Sequence, residues 1–516
     1  MHIRKRFILP LALTLAILAC NLPARISTPT SLPVQVNTLA IPSPTILPTP
    51  APTFAYQPTF EPAPCAFPVP SGYNPDCGYL VVPENRARPG SPFIRLHVAI
   101  FRGRSGAVVP DPVVHLAGGP GSSSLEVAGY ILGRGLDGVL AQRDLILFDQ
   151  RGTGYSQPRL DCPERTAITP TLLGGSLSDE QARGAIVEAF RRCRERLVAQ
   201  GIDLSAYNSA ASAADLNDLR LALGVETLNL YAVSYGTRLA LTLMRDHPDA
   251  VRSAVLDSAY PLQVNLYTAL APNAERAFNV FFDRCASSPD CSAAYPDLRN
   301  VFYQLADQLN ASPVPVSLYA GGAERAVSLD GGLLIDVLFV GLYNPAVTAS
   351  MPQMIYDIWR GDYSILRERL ALYFESSSAL GMQMAVQCAE ELPFNSPDEA
   401  YAAAQGLQPQ IAAFYPASVQ PLFEVCREWT TILPGPNENL PVSSHLPALV
   451  LAGEHDPITP PEWSRMVAQD LANSYLYEFP GNGHWVTRSS RCALAMALAF
   501  WNEPGVDPGF ADPSCP

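Results

Sequence analysis

The stretch "LNLYAVSYGTRLAL", residues 228–241, limits the fold more than any other part of the chain. An apolar run leads to Ser234, a glycine stands two places on, and a helical pattern follows. A serine between a strand and a helix sits on a sharp elbow, where the backbone passes close to its neighbours. Positions 232 and 236 must then be small. Gly236 meets this need fully, and Ala232 stands where such elbows usually carry glycine. A strand that runs straight into a helix belongs to a parallel sheet with helices packed on it.

The rest of the chain repeats the form. "FIRLHVAIF" (93–101) alternates like a strand. "DPVVHLAGGPG" (111–121) and "RDLILFDQRGTG" (143–154) are apolar strands that end in glycine-rich loops. "ETLNLYAV" (226–233), "VRSAVLDSAYP" (251–261), "LPALVLAGEHD" (446–456) and "SYLYEFPGNGH" (474–484) continue the series. Short apolar strands separated by helices predict an α/β fold, a mostly parallel sheet with helices on both faces. Ligands bind at the carboxyl ends of such strands, where the special residues fall. Residues 262–440 are helix-rich and lack the strand rhythm ("NAERAFNVFFDRC", "LLIDVLFVGLY", "MPQMIYDIWRG", "LRERLALYF"). They read as a helical cap inserted between core segments 65–261 and 441–516. An independent second domain is the alternative, and return of the core pattern after residue 446 favours the insertion.

The N-terminus reads as an export signal. Arg4, Lys5 and Arg6 precede the apolar run Phe7 to Ala19, too short to span a bilayer comfortably. The run ends in Ile17-Leu18-Ala19-Cys20, which is similar to a bacterial lipobox with Cys20 as the lipidated residue. An ordinary signal peptide with an incidental Cys20 is the alternative. Residues 21–64 form a Pro/Thr-rich linker. Between Ser27 and Pro64, ten of 38 residues are proline, seven are threonine and Glu61 is the one charge. Such a segment predicts an extended spacer that stands the folded part off a membrane. The chain has eleven cysteines. With Cys20 set aside, ten remain, and an even number in an exported chain suggests disulfides. The simplest pairing is sequential: 65–77, 162–193, 285–291, 388–426 and 492–515. The formal charge of −14 argues against nucleic acid as a partner.

Three residues supply the parts of a nucleophilic site. An alcohol needs a base to take its proton, and the base needs an orienting acid. Ser234 is the nucleophile, Asp456 in "LVLAGEHDPITP" the acid and His484 in "YEFPGNGHW" the base. Each follows a predicted strand. The order Ser…Asp…His is that of α/β-hydrolases, and the long gap before Asp456 accommodates the cap. Glu454 is the rival acid. His2, His97, His115, His247, His445 and His455 fall in the signal, in strands, at element ends or beside the acid, and read as structural or surface residues. A tetrahedral intermediate needs two N–H donors. One falls to Tyr235, and the other to Gly118 or Gly119 in "AGGPG". Asp149, Arg151 and Gly154 in "DQRGTGYS" read as braces for that loop. No metal, nucleotide or flavin is expected: there is no C-x2-C pair, no GxGxxG in a first βαβ unit and no Walker motif.

"HLAGGPGSSS", "LFDQRGTGYS", "YAVSYGT", "LAGEHDPITP" and "GNGHW" together resemble the proline iminopeptidase and tripeptidyl-aminopeptidase-like branch of the α/β-hydrolases. The resemblance covers about residues 75 to 500. It implies a serine peptidase that removes residues from a free N-terminus beneath a helical cap, with Ser234, Asp456 and His484 as the triad. Two positions depart from the pattern. Ala232 replaces the usual glycine, and Ala117 stands where proline iminopeptidases often have histidine. The departures bear on preference for a single proline more than on hydrolysis.

Such an enzyme must recognise a free ammonium, which calls for carboxylates in the cap. "AVQCAEELPF" (385–394) offers Glu390 and Glu391, with Cys388 placed to tie it to "VCREW" (425–429) through Cys426. The alternative is a pair of solvated glutamates on a helix surface. A carboxylesterase on the same fold would use the same triad, and a non-catalytic surface binding protein on this fold is the reading from another class.

Overall fold

The computed structural model describes residues 56–104, 108–374, 378–429 and 434–509. The signal segment, Cys20 and most of the linker lie outside them. Among the described residues eleven strands are present, β1 to β11 in chain order. Nine form one sheet in the order β1-β2-β3-β5-β4-β6-β7-β10-β11. Strands β4 (Val109–Leu116), β5 (Arg143–Phe148), β6 (Leu228–Val233), β7 (Val251–Asp257), β10 (Ala448–Gly453) and β11 (Ser474–Phe479) are mutually parallel. They are the strands expected from the apolar runs. All of β6 and β10 is buried, as befits strands covered on both faces.

The antiparallel edge is larger than the sequence suggests. β2 (Asp76–Pro83) pairs with β3 (Phe93–Phe101), and β1 (Thr59–Pro62) pairs with β2. β1 lies inside the stretch expected to be linker, so the extended chain there ends as an edge strand. Extended backbone suits either role, and prolines at residues 58 and 62 are tolerated only at an edge. The disulfide Cys65–Cys77 closes the β1–β2 connection.

One face of the sheet is covered by helices Ser209–Leu223 and Tyr235–Asp246, the other by Ala128–Gly133 and Arg491–Asn502. Helices from 266 to 429 build the cap, together with a hairpin of β8 (Val314–Ala320) and β9 (Ala323–Leu329) that the apolar pattern does not announce. The boundary at 261/262 is also crossed. Leu160 to Tyr207, between β5 and β6, share one apolar cluster with the cap. Phe190 packs edge-on against Trp429 at 6.1 Å between ring centres. About eighty residues separate β5 from β6, far more than a crossover needs, and the surplus helices bury their apolar faces in the cap. Four of the five sequential disulfides are formed: 65–77, 162–193, 285–291 and 388–426. Cys515, expected to pair with Cys492, lies outside the described residues.

Candidate active site

Ser234 ends β6 and opens the helix Tyr235–Asp246 with φ 58° and ψ −127°. L side chains rarely adopt such a backbone, and neighbours must hold it there. Its N–H donates to the Asp257 carbonyl at 3.1 Å, and the Thr237 N–H and Oγ donate to its own carbonyl at 2.8 and 2.6 Å. The two flanking small residues are small for different reasons. A Cβ on Gly236 would stand 2.1 Å from the Leu116 carbonyl oxygen, so the helix can start there only with glycine. Ala232 is fully buried between Leu116 of β4 and Leu256 of β7, with no positive φ, so alanine meets the requirement.

His484 and Asp456 meet as their spacing predicts. His484 Nδ1 lies 2.8 Å from Asp456 Oδ2. Asp456 is fully buried, and its other oxygen accepts the N–H groups of Ile458 and Thr459, each at 2.9 Å. The Thr459 hydroxyl donates to Oδ2 at 2.8 Å. Four donors converge on this carboxylate. The rival Glu454 is committed elsewhere, to Arg284 at 2.8 Å and to the Gly481 N–H at 2.7 Å.

Residues that sequence reasoning misses fix this pair. Asp257, at the end of β7, accepts the Val486 and Thr487 N–H groups at 2.7 and 2.8 Å and the Thr487 hydroxyl at 2.5 Å. Its backbone oxygen holds Ser234. One residue thus ties the elbow to the loop that carries His484. Ser258 accepts the Trp485 N–H at 2.8 Å. Among the described residues, four non-glycines have positive φ, and three of them, Ser234, Ser258 and Trp485, belong to this site. Arg276, from the cap helix Leu266–Ser287, donates to the backbone carbonyls of Glu454, at 2.7 Å, and Asp456. The Tyr343 ring lies 5.0 Å from that of His484, steeply inclined to it. A sequence signal exists for two of these. Asp257 ends an apolar strand, and Thr459 follows Asp456 at the spacing of a side-chain turn.

Gly118 rests against Ser234: a Cβ there would stand 2.9 Å from Ser234 Cβ. Gly119 has φ 117° and Gly121 φ 105°, backbone that glycine alone adopts readily. Asp149 holds this loop, accepting Ser123 Oγ at 2.8 Å, the Leu125 N–H at 3.2 Å and the Tyr155 N–H at 2.8 Å. Burial pushes its carboxyl up to about 6. A Cβ on Gly154 would stand 2.0 Å from Asp149 Oδ2. Arg151 forms a buried two-pronged pair with Asp215, both bonds 2.7 Å. Asp149 braces this loop and Gly154 leaves room for it, whereas Arg151 holds Asp215 and the carbonyls of Glu84 and Ala206 instead. His97, His115 and His455 are buried, and burial lowers each to about 4, so they sit neutral in the core.

Glu390 and Glu391 differ from both expectations. They are 3% exposed, so they are not solvated. Nor do they await an amine. Glu390 accepts the Ser209 N–H, Ser209 Oγ at 2.6 Å and Arg238 Nε at 3.3 Å. Glu391 faces Arg238 at 3.0 Å and accepts the Leu266 N–H at 3.4 Å. Glu438 is the third carboxylate, 3.3 Å from Arg238. Arg238 lies one turn beyond Ser234 on its helix, so the cluster fastens the cap to that helix. Burial pushes Glu391 and Glu438 up to about 7. The sequence shows the carboxylates but not the distant arginine that consumes them.

Comparison with known proteins agrees with this geometry. Residues 111–312 match the alpha/beta hydrolase fold family and residues 413–515 the TAP-like protein family. Serine protease Hip1 of Mycobacterium tuberculosis is 25% identical over 440 residues, 80% of this chain and 81% of that protein. Tripeptidyl aminopeptidase of Streptomyces lividans is 32% identical over 195 residues, 35% of each chain. Among solved structures, a proline iminopeptidase-related protein from Thermus thermophilus aligns with 84% of this chain and 99% of its own, at 18% identity and a TM-score of 0.36. With an elbow serine, a paired aspartate and histidine, and a C-terminal part that matches the TAP-like family, the chain has the α/β-hydrolase fold and is a serine hydrolase.

Proposed function

We propose that this hydrolase is a peptidase that cuts amide bonds near the free N-terminus of peptides through an acyl-enzyme. The observation that carries the reading is the pairing of His484 with the buried Asp456, on a loop that Asp257 ties to the elbow serine. Relatives named as a serine protease and a tripeptidyl aminopeptidase supply the substrate class. Ser234 Oγ attacks the scissile carbonyl and passes its proton to His484. Asp456 keeps the proton on His484 Nδ1, so the other ring nitrogen is free to accept. The backbone N–H groups of Tyr235 and of Gly118 or Gly119 receive the developing oxyanion. His484 then protonates the leaving amine, and water releases the acyl group by the same route in reverse.

The protein is exported in this reading. Four disulfides among the described residues support an oxidising compartment. The residues preceding Cys20 support a lipid anchor, and the proline-rich stretch after it a spacer. Among the described residues no helix is long and apolar enough to cross a membrane.

The deciding experiment offers the enzyme a tripeptide with a fluorogenic amide, its N-acetylated twin, a proline amide and a p-nitrophenyl ester, with Ser234→Ala as control. Cleavage of the free-amine tripeptide by wild type alone is the expected result. Cleavage of the ester and of no amide would replace the reading with an esterase, and cleavage of nothing would remove catalysis from it.

A further inference from the structure

Two lengths of backbone meet beside His484. One is the loop that carries it, and the other is cap segment 342–343, which follows the helix Gly331–Gly341. A Cβ on Gly483 would stand 2.1 Å from the Leu342 carbonyl oxygen and 2.7 Å from that of Tyr343. A Cβ on Gly453, the last residue of β10, would stand 2.0 Å from the Gly483 carbonyl oxygen. Core strand, histidine loop and cap segment therefore lie backbone against backbone, and a side chain at 453 or 483 would force them apart. The Tyr343 ring continues the contact, 5.0 Å from the imidazole of His484.

Arg488 bridges the two. Its Nη2 donates to the Tyr343 carbonyl at 3.0 Å and to the His484 carbonyl at 3.4 Å, and its guanidinium lies over the Trp485 ring, 5.5 Å from the ring centre. No carboxylate forms an ion pair with it among the described residues, and burial lowers it below the ordinary arginine value. A cation withdrawn from water without a counter-ion is costly, and charge-assisted bonds to carbonyls offset part of that cost. The His484 carbonyl has reason to need such a donor. Trp485 has φ 65°, a left-handed turn that takes the peptide between the two residues out of any helix or strand ladder. The N–H end of that peptide donates to Ser258 Oγ at 2.8 Å, and its carbonyl end accepts from Arg488. The peptide next to the imidazole is thus held at both ends, by the core on one side and on the other by an arginine that also grips the cap.

We infer that Arg488 is a positioning residue: by bridging the His484 loop to cap segment 342–343 it sets the pose of the imidazole, so that proton transfer at Ser234 requires this part of the cap to be docked. The inference takes His484 as the base, as the reading above does. It holds for ester and amide substrates alike, because both pass their proton through that ring.

The test measures kcat and KM for a p-nitrophenyl ester and for the free-amine tripeptide amide in wild type, Arg488→Met and Arg488→Lys, together with the downfield proton NMR signal of the His484 Nδ1–H. Arg488→Met should lower kcat about 10-fold on whichever substrate the wild type cuts, with KM nearly unchanged, the rough worth of one hydrogen bond from a charged donor. Arg488→Lys should restore part of the rate, because an ammonium can reach one of the two carbonyls. The downfield signal should broaden in Arg488→Met and sharpen again in Arg488→Lys. A kcat loss equal in both variants, a loss confined to KM, or an unchanged signal beside a lowered kcat would overturn the inference. If Arg488→Met does not fold, Arg488→Lys decides alone: a lowered kcat with a broadened signal is expected, and wild-type values overturn the inference. Gly483→Ala disturbs the same contact without removing a charge. Combined with Arg488→Met it should be no slower than the slower single variant, whereas losses that multiply would show two unrelated effects and also overturn the inference. His484→Ala keeps the two readings apart, since full activity in that variant removes His484 as the base whatever Arg488 does.

Discussion

Arg276 of the cap donates to the backbone carbonyl of Asp456, the residue that holds the His484 imidazole. A second bond, 2.7 Å to the Glu454 carbonyl, makes the guanidinium a clamp over the turn that presents the acid. The helix Leu266–Ser287 therefore helps to shape the turn that carries Asp456. Replacing Arg276 with Ala should lower kcat by 10- to 100-fold, the rough worth of losing charged hydrogen bonds at about 1.5–3 kcal/mol. KM should change little, and Lys should restore part of the rate by reaching one carbonyl. Steady-state kinetics of the three proteins check this. An equal loss of kcat in Lys and Ala would mean that the carbonyl contact is immaterial.

The elbow makes an asymmetric prediction. Gly236→Ala places a methyl group 2.1 Å from the Leu116 carbonyl oxygen, a contact that backbone must move to relieve. It should abolish activity and lower the melting temperature by several degrees. Ala232→Gly removes a buried methyl from an ordinary strand backbone and should cost about 1 kcal/mol with activity retained. Thermal unfolding and one activity assay on both variants decide it. Parallel losses would show that the two small residues answer one constraint rather than two.

Much of this arrangement is written in the apolar pattern of the chain. Ser234, Asp456 and His484 each follow an apolar strand, and in a parallel sheet strand ends meet along one edge. The braces around Asp149 are legible because glycines cluster where backbones touch. What escapes is contact between distant helices. Nothing near residue 390 in the sequence announces that Arg238, 152 positions earlier, will pair with those glutamates. The helices of residues 163–207 read as core because they follow a core strand, yet their apolar faces pack into the cap.

The carboxylate cluster around Arg238 predicts a pH signature in stability. Glu391 and Glu438 are pushed up to about 7 in the folded protein, against about 4.3 in an unfolded chain. The folded state thus keeps protons that the unfolded state releases between these values. Stability from this source is complete below about pH 4.3 and is lost as pH rises through 7. Each group accounts for a loss on the order of 3 kcal/mol. Glu438→Gln mimics the protonated group permanently. Its melting temperature should match wild type near pH 4 and exceed it at pH 8. If the difference is the same at both values, Glu438 is ionised throughout.

Asp257 carries the last expectation. Its backbone oxygen receives Ser234 N–H, and its side chain receives two N–H groups and a hydroxyl from the loop after His484. Every one of these loop partners is a donor, so only a carboxylate satisfies them all. In Asp257→Asn the amide nitrogen would face one of these donors, leaving a buried group unpaired at a cost of about 1–3 kcal/mol. The His484 loop would shift while the backbone bond to Ser234 persists. The variant should therefore bind substrate with nearly unchanged KM and turn it over 10- to 100-fold more slowly. Single-turnover measurements should place the loss in acylation and deacylation alike, because His484 serves both steps. A change confined to KM would instead put Asp257 in substrate binding, and would separate the elbow from the histidine loop.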